Sequence, residues 1–110
     1  MKPVIFHPKA LQEFRDLPQS IRQSLGESLR LLQEGITLGM PASRPMPSVA
    51  AGVDELRVKD ASGQYRAFYL RKDRRSILVL RAFHKKTRET PPSELALARK
   101  RLQELLHENP

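Results

Sequence analysis

The sequence predicts an α+β domain: two N-terminal helices packed on an antiparallel sheet of three to four strands, closed by a C-terminal helix. Three observations carry this. Apolar residues recur at helical spacing between Lys9 and Glu34. From Glu55 to Phe83 the pattern changes to β-rich runs separated by turn residues. After Thr90-Pro91-Pro92 the helical spacing returns. At 110 residues the chain has the size of a single domain with one core, spanning 1–110.

Each element has its own signal. Val4-Ile5-Phe6 is a short β-prone run ended by Pro8, as at a sheet edge, and His7 sits at the strand end or helix start. Ala10, Leu11, Phe14 and Leu17 form one helical stripe. Pro18 breaks it and opens a second helix with Ile21, Leu25, Leu29 and Leu32 inward and Gly35 as its cap. The two make an αα-hairpin whose stripes the sheet can cover. Residues 35–53 hold three Gly and three Pro, which reads as a loop with Arg44 as its one charge. In 55–59, Leu56 and Val58 alternate with Arg57 and Lys59, a half-buried strand with a basic outer face. Asp60-Ala61-Ser62-Gly63 is turn chemistry, Gln64–Arg71 a second strand, and Lys72-Asp73-Arg74-Arg75 a second turn. Ile77–Phe83 is almost entirely apolar, as in a central strand covered on both faces. Thr90 is the expected N-cap of the last helix, Pro91 its first residue, and Leu95, Ala98, Leu102 and Leu105 its stripe.

Charge singles out one part of this plan. Residues 57–88 hold eleven basic side chains against Asp60 and Asp73, a net +9, while the whole chain is +8. The basic charge therefore sits on the sheet, and its target is a polyanion such as RNA, DNA or an acidic protein. The absence of Cys removes disulfides and thiolate metal sites and suits a reducing compartment. No apolar run approaches the ~20 residues of a membrane helix, and MKPVIFHPKA lacks the apolar core of a signal peptide. The expected location is the cytoplasm.

The residue types narrow the chemistry. No serine lies in an elbow motif, the phosphate-binding glycine motifs are missing, and His7, His84 and His107 lack a zinc-like spacing. What remains is a dense set of Arg and Lys, one His at a strand end, and the aromatics Tyr65, Phe68, Tyr69 and Phe83. RNA carries its own nucleophile, the 2′-OH, so it can be cut without a metal or other cofactor. A protein doing so must align the 2′-OH with the phosphate, stabilise charge on the phosphate oxygens and move protons. Arg57, Arg66, His84, Lys85 and Lys86 are the candidates for the last two. Arg66 lies in an apolar strand in phase with Phe68 and Leu70, where an arginine needs a partner. Arg81 reads as a structural ion pair, and Tyr65 and Tyr69 as core.

The ordered pattern ELR, YRAFY, ILVLRAFHKKT and TPPSELALARKRL resembles the phage Gp49-like and HigB branch of the RelE/ParE toxin superfamily. The resemblance runs from Phe6 to Leu105, most specifically at Glu55-Leu56-Arg57, Tyr65-Arg66 and Ala82-Phe83-His84-Lys85-Lys86-Thr87. It implies the toxin of a type II toxin–antitoxin pair: a metal-independent endoribonuclease that cuts mRNA on the ribosome and has no cofactor. It implies as partners a cognate antitoxin, often a helix-turn-helix protein, the ribosome and mRNA, and operator DNA only as the toxin–antitoxin complex, with no membrane. Carried over by position, Arg66 holds the scissile phosphate, and His84, Lys85 and Lys86 supply acid/base and phosphate contacts. Arg57, Lys59, Arg71, Lys72 and Arg88 form the RNA-binding set. No Tyr follows Tyr69 and His107 lies near a helix end, so the division between general acid and base stays open, with lysine a candidate. Two other functions fit the same fold class: inhibition of DNA gyrase by binding, and noncatalytic RNA binding. Arg66→Ala and His84→Gln are both expected to remain folded, because neither removes an apolar core side chain.

Overall fold

The computed structural model describes residues 1–72 and 75–109, without the side chain of Lys72. Asp73 and Arg74 of the expected second turn thus lie outside the described residues, as does the side chain of the expected RNA contact Lys72. The elements follow the order β1 (Val4–Phe6), α1 (Pro8–Arg15), α2 (Gln19–Gln33), β2 (Ser43–Pro45), β3 (Val53–Asp60), β4 (Gly63–Lys72), β5 (Ser76–Lys85) and α3 (Pro92–Glu108). The fold is α+β, with one five-stranded sheet in the order β1-β5-β4-β3-β2. This is one strand more than expected, because β2 forms inside the stretch read as loop. It pairs antiparallel with β3, Arg44 opposite Glu55. β1 joins β5 in parallel, and the β3-β4-β5 meander is antiparallel as read.

Local chemistry sets the boundaries. His7 caps α1, its Nδ1 accepting from the Lys9 N–H at 3.2 Å. Pro18 is the N-cap of α2, and α2 ends in a Schellman arrangement. The Gly35 N–H reaches the Leu32 carbonyl at 3.0 Å and the Ile36 N–H the Leu31 carbonyl at 3.1 Å, with Gly35 at φ 88°. The β3–β4 hairpin turns on Ala61-Ser62, where Asp60 Oδ1 accepts from the Ser62 N–H at 2.8 Å. α3 starts one residue later than the sequence suggests: Pro91 is the N-cap and Pro92 the first helical residue.

Both faces of the sheet are covered. On one, Ile21, Leu25, Leu29 and Leu32 of α2 and Ala10 of α1 pack on Leu56, Tyr65, Ala67, Tyr69, Ile77, Val79 and Ala82. On the other, Ala98, Leu102 and Leu105 of α3, with Met46 and Val49 of the 46–52 loop, pack on Val53, Phe68, Leu78, Leu80 and Phe83. β5 carries a bulge: Phe68 faces Arg81 while Tyr69 faces Val79, which leaves Leu80 as an extra residue.

β1 pairs with β5 only at residues 77–79, so β5 beyond that point would present a free edge. α1 closes it. Glu13 Oε1 accepts from the Ala82 N–H at 3.3 Å. The same carboxylate takes the Arg101 guanidinium through both oxygens, at 2.7 and 2.9 Å, and ion-pairs with Arg81. Arg81 also meets Glu94 at 3.0 Å, which bears out its reading as a structural ion pair. Burial opposes ionisation of Glu13, but hydrogen bonding to Arg101 and the charges of Arg81 and Arg101 outweigh it, holding the carboxyl below its ordinary 4.5. Its stabilising contribution is thus present above the unfolded carboxyl's pKa and lost as pH falls through the lower folded value. Glu13→Ala leaves the buried Arg101 without its carboxylate, and we expect a loss of about 3–5 kcal/mol in urea unfolding at neutral pH. The gap to wild type should close as the pH is lowered toward the folded pKa.

Candidate functional site

Side-chain alternation on β3 puts Glu55, Arg57 and Lys59 on the face opposite the α1–α2 hairpin. Pairing then decides what they meet. Arg57 stands directly across from Arg66, and Gln64 across from both Lys59 and Lys85. β2 adds Arg44 beside Glu55. The result is a cluster of Arg44, Arg57, Arg66 and Lys85 around one carboxylate, Glu55.

Glu55 is 3% exposed and Arg66 also 3%. Glu55 Oε1 lies 3.5 Å from Arg66 Nε and 3.6 Å from Arg57 Nε. Arg66 Nη1 donates to its neighbour's carbonyl at Tyr65, 3.0 Å, and Nη2 to Gln64 Oε1 at 2.8 Å. Arg66 is therefore set into the wall of the site, and Arg57 and Lys85 are the half-buried cations in front of it. Burial pushes the Arg66 guanidinium below its ordinary value; Glu55 pulls it back, and Arg57 and Arg44 add to the lowering. Lys85 Nζ donates to the Arg88 carbonyl at 2.8 Å. Its ammonium is lowered from the usual 10.5 by burial first and then by Arg66, with Glu55 opposing and Arg57 and Arg44 reinforcing.

Two recesses flank Arg57. One, of about 390 Å³, lies at the open edge of β3 between Pro41, Ala42, Arg57, Val58, Lys59, Gln64 and Arg66. The other, of about 360 Å³, runs toward α3 and is polar: Arg44, Ser48, Glu55, Arg57, Lys85, Arg88, Glu89 and Thr90 line it with Met46 and Leu95.

Of the residues expected from the sequence, Arg57, Lys59, Arg66, Lys85 and Arg88 gather here. His84 does not. It pairs with Tyr65 across the β4–β5 ladder, while Phe83 pairs with Arg66, so the sheet separates the imidazole from the arginines. The exposed His84 ring stacks on Tyr65 at 4.6 Å between centroids. It also lies over Gly63 (φ 138°), where an added Cβ would come within 2.3 Å of Nε2. Lys86 follows the end of β5 and shares a third, smaller recess with His84 and Glu94. Arg71 pairs with Ile77 on the α2 face and donates to Thr37 at 3.3 Å. His7 meets Glu104 at 3.2 Å, far along the chain from the cluster. Among the described residues, no group of three His, Cys, Asp or Glu side chains is placed to hold a metal ion. Arg44 and Gln64 were missed by the sequence reading. The available signal for Arg44 was its position as the sole charge in a long neutral loop.

A family model described as "Phage derived protein Gp49-like (DUF891)" matches residues 12–103. The chain belongs to this Gp49-like family. Its fold is similar to the crystal structure of the isolated E. coli RelE toxin, with TM-score 0.53 and 22% identity over 93% of this chain and 99% of that one. No curated protein sequence matches. Family and fold agree with the resemblance carried by the ELR, YRAFY and AFHKKT segments.

In this Gp49-like chain Arg66 is buried and partnered, as its apolar strand implied, and Arg66→Ala would strip the buried Glu55 of that partner. We expect a cost of about 3–5 kcal/mol by urea unfolding. The field at Lys85 gives a second test, with opposite signs for opposite charges. Glu55→Gln should lower the Lys85 pKa further and Arg57→Ala should raise it, read by NMR titration of the Lys85 side chain.

Proposed function

We propose that this protein is the toxin of a type II toxin–antitoxin pair, cutting mRNA on the ribosome by metal-independent chemistry until a cognate antitoxin, of helix-turn-helix type, silences it. The supporting observation is the cluster itself: four cations around one buried carboxylate, flanked by two recesses on a sheet of net positive charge. Such a site is complementary to a phosphodiester whose charge grows in the transition state.

The roles follow from exposure. Arg57 meets the scissile phosphate, with Arg66 behind it adding a fixed positive field. A base removes the 2′-OH proton, the 2′-oxygen attacks phosphorus and the P–O5′ bond breaks. The products are a 2′,3′-cyclic phosphate and a 5′-hydroxyl, whose oxygen takes up a proton as it leaves. Lys85 is the group for a proton transfer, since it is the half-buried amine beside Arg57 and Arg66, and burial there lowers its pKa. Arg44 and Arg88 hold the strand on the α3 side, and Lys59 on the other. His84 and Lys86 fall outside the reacting cluster in this reading, and Arg71 outside the RNA path.

Single-turnover cleavage on programmed ribosomes, with circular dichroism as the folding control, tests these roles. We expect Arg57→Ala to slow cleavage by ~10²–10³. Lys85→Met should slow it by ~10²–10⁴ and remove the rise of rate with pH. His84→Gln should cleave at the wild-type rate. An active Lys85→Met, or a His84→Gln as slow as Lys85→Met, would overturn the roles. Intact mRNA alongside blocked gyrase supercoiling would replace the nuclease reading with the gyrase one.

A further inference from the structure

The two recesses that share Arg57 differ in chemistry, and the difference has a direction. The one toward α3 is walled by charge. The one at the β3 edge sets the apolar Pro41 and Ala42, with the strand edge at Val58, beside Arg57, Lys59 and Arg66, and Gln64 lines it too. Its volume of about 390 Å³ falls in the ~300–1,000 Å³ range of small-ligand sites. A small apolar surface, cations beside it and one carboxamide match the parts of a nucleotide: a flat base, a phosphate and a hydrogen-bonding edge.

We propose that the β3-edge recess is a base subsite, holding the nucleotide next to the phosphate at Arg57 and reading its base through Gln64. This rests on the proposed RNA-cleaving function. The occupant is set by continuity with the cationic cluster, since a strand whose phosphate lies on Arg57 must place its adjoining base on one side or the other. The orientation of Gln64 is set by its neighbour. Arg66 can only donate hydrogen bonds, so the Gln64 oxygen faces its Nη2 at 2.8 Å and the amide NH2 is the group offered to a ligand. Facing the 6-position of a purine or the 4-position of a pyrimidine, an NH2 donor favours the carbonyl of guanine or uracil over the amino group of adenine or cytosine. Gln64 is thus a specificity residue, with Arg66 fixing which of its two ends reads.

The test uses the full chain with short 2′-O-methyl RNA oligonucleotides, which bind but cannot be cut, differing in one base. NMR shift mapping on the wild type needs no variant. We expect salt-dependent binding, shifts at the Ala42 methyl, the Val58 N–H and the Gln64 NH2, and an affinity about three- to tenfold higher for guanine or uracil at one position than for adenine. Ala42→Phe, which fills the recess, should lower affinity and erase that preference while leaving the slope of affinity against salt unchanged. Salt-dependent RNA binding with shifts confined to Arg44, Lys85 and Arg88 would overturn the base subsite and leave the nuclease reading standing. Shifts at Ala42 and Gln64 caused by an oligoglutamate peptide but not by RNA would make the recess a peptide site and overturn the proposal. No RNA binding at any salt concentration would overturn the base subsite, while cleavage on programmed ribosomes decides the nuclease reading.

Discussion

The antiparallel pairing of β3 with β4 sets Arg57 directly opposite Arg66. Like charges face to face on a sheet are destabilising, and here one of them is almost wholly buried. Glu55 makes the arrangement tolerable. Its single carboxylate lies within 3.6 Å of both Nε atoms, one negative charge shared by two positive ones. The compensation is partial by design of the ladder, and the surplus positive charge is what the site has to offer an anion. Lys85 enters the same field, and burial first and then Arg66 loosen its proton. The Arg57 and Arg66 Nε atoms are left without hydrogen-bond partners, so the cluster is held by charge more than by directed bonds.

The rest of the molecule frames this cluster by ending the apolar packing of the α3 face beside it. α3 packs on Phe68, Leu78, Leu80 and Phe83, and Met46 and Val49 fix the loop that carries β2. The apolar seal therefore ends where the arginines begin. Glu13 ties α1, β5 and α3 together at the opposite edge, so the two helical layers are joined around the side of the sheet. Ser43 extends the same logic to β2, its hydroxyl paired with Tyr69 Oη at 2.8 Å inside the core.

Most of the architecture was legible because its signals are local. The stripes of α1 and α2, the Asp60–Gly63 turn and the apolar run of β5 each declare themselves within a dozen residues. β2 did not, because three residues between prolines carry no periodicity, and its strand character exists only in pairing with β3. The site was legible in part. The concentration of charge pointed to the right sheet, and Arg66 in an apolar strand pointed to a partnered arginine. What composition cannot show is which side of the sheet a residue occupies. His84, Lys85 and Lys86 are adjacent in sequence and read as one group, yet Lys85 alone joins the arginines.

That last division traces to the single extra residue in β5. Strict alternation from Ile77 would carry Val79, Arg81, Phe83 and Lys85 to the α2 face and Leu78, Leu80, Ala82 and His84 to the other. With Leu80 unpaired, the phase reverses beyond it, and Phe83 and Lys85 arrive beside Arg66 while Ala82 and His84 turn away. The bulge therefore acts as a selector between two neighbouring side chains of different chemistry. A relative with the same His-Lys pair but an unbroken strand would carry imidazole where this chain carries an amine. A one-residue shift of register that drew Leu80 into the ladder would thus exchange the two side chains without changing a single residue of the motif.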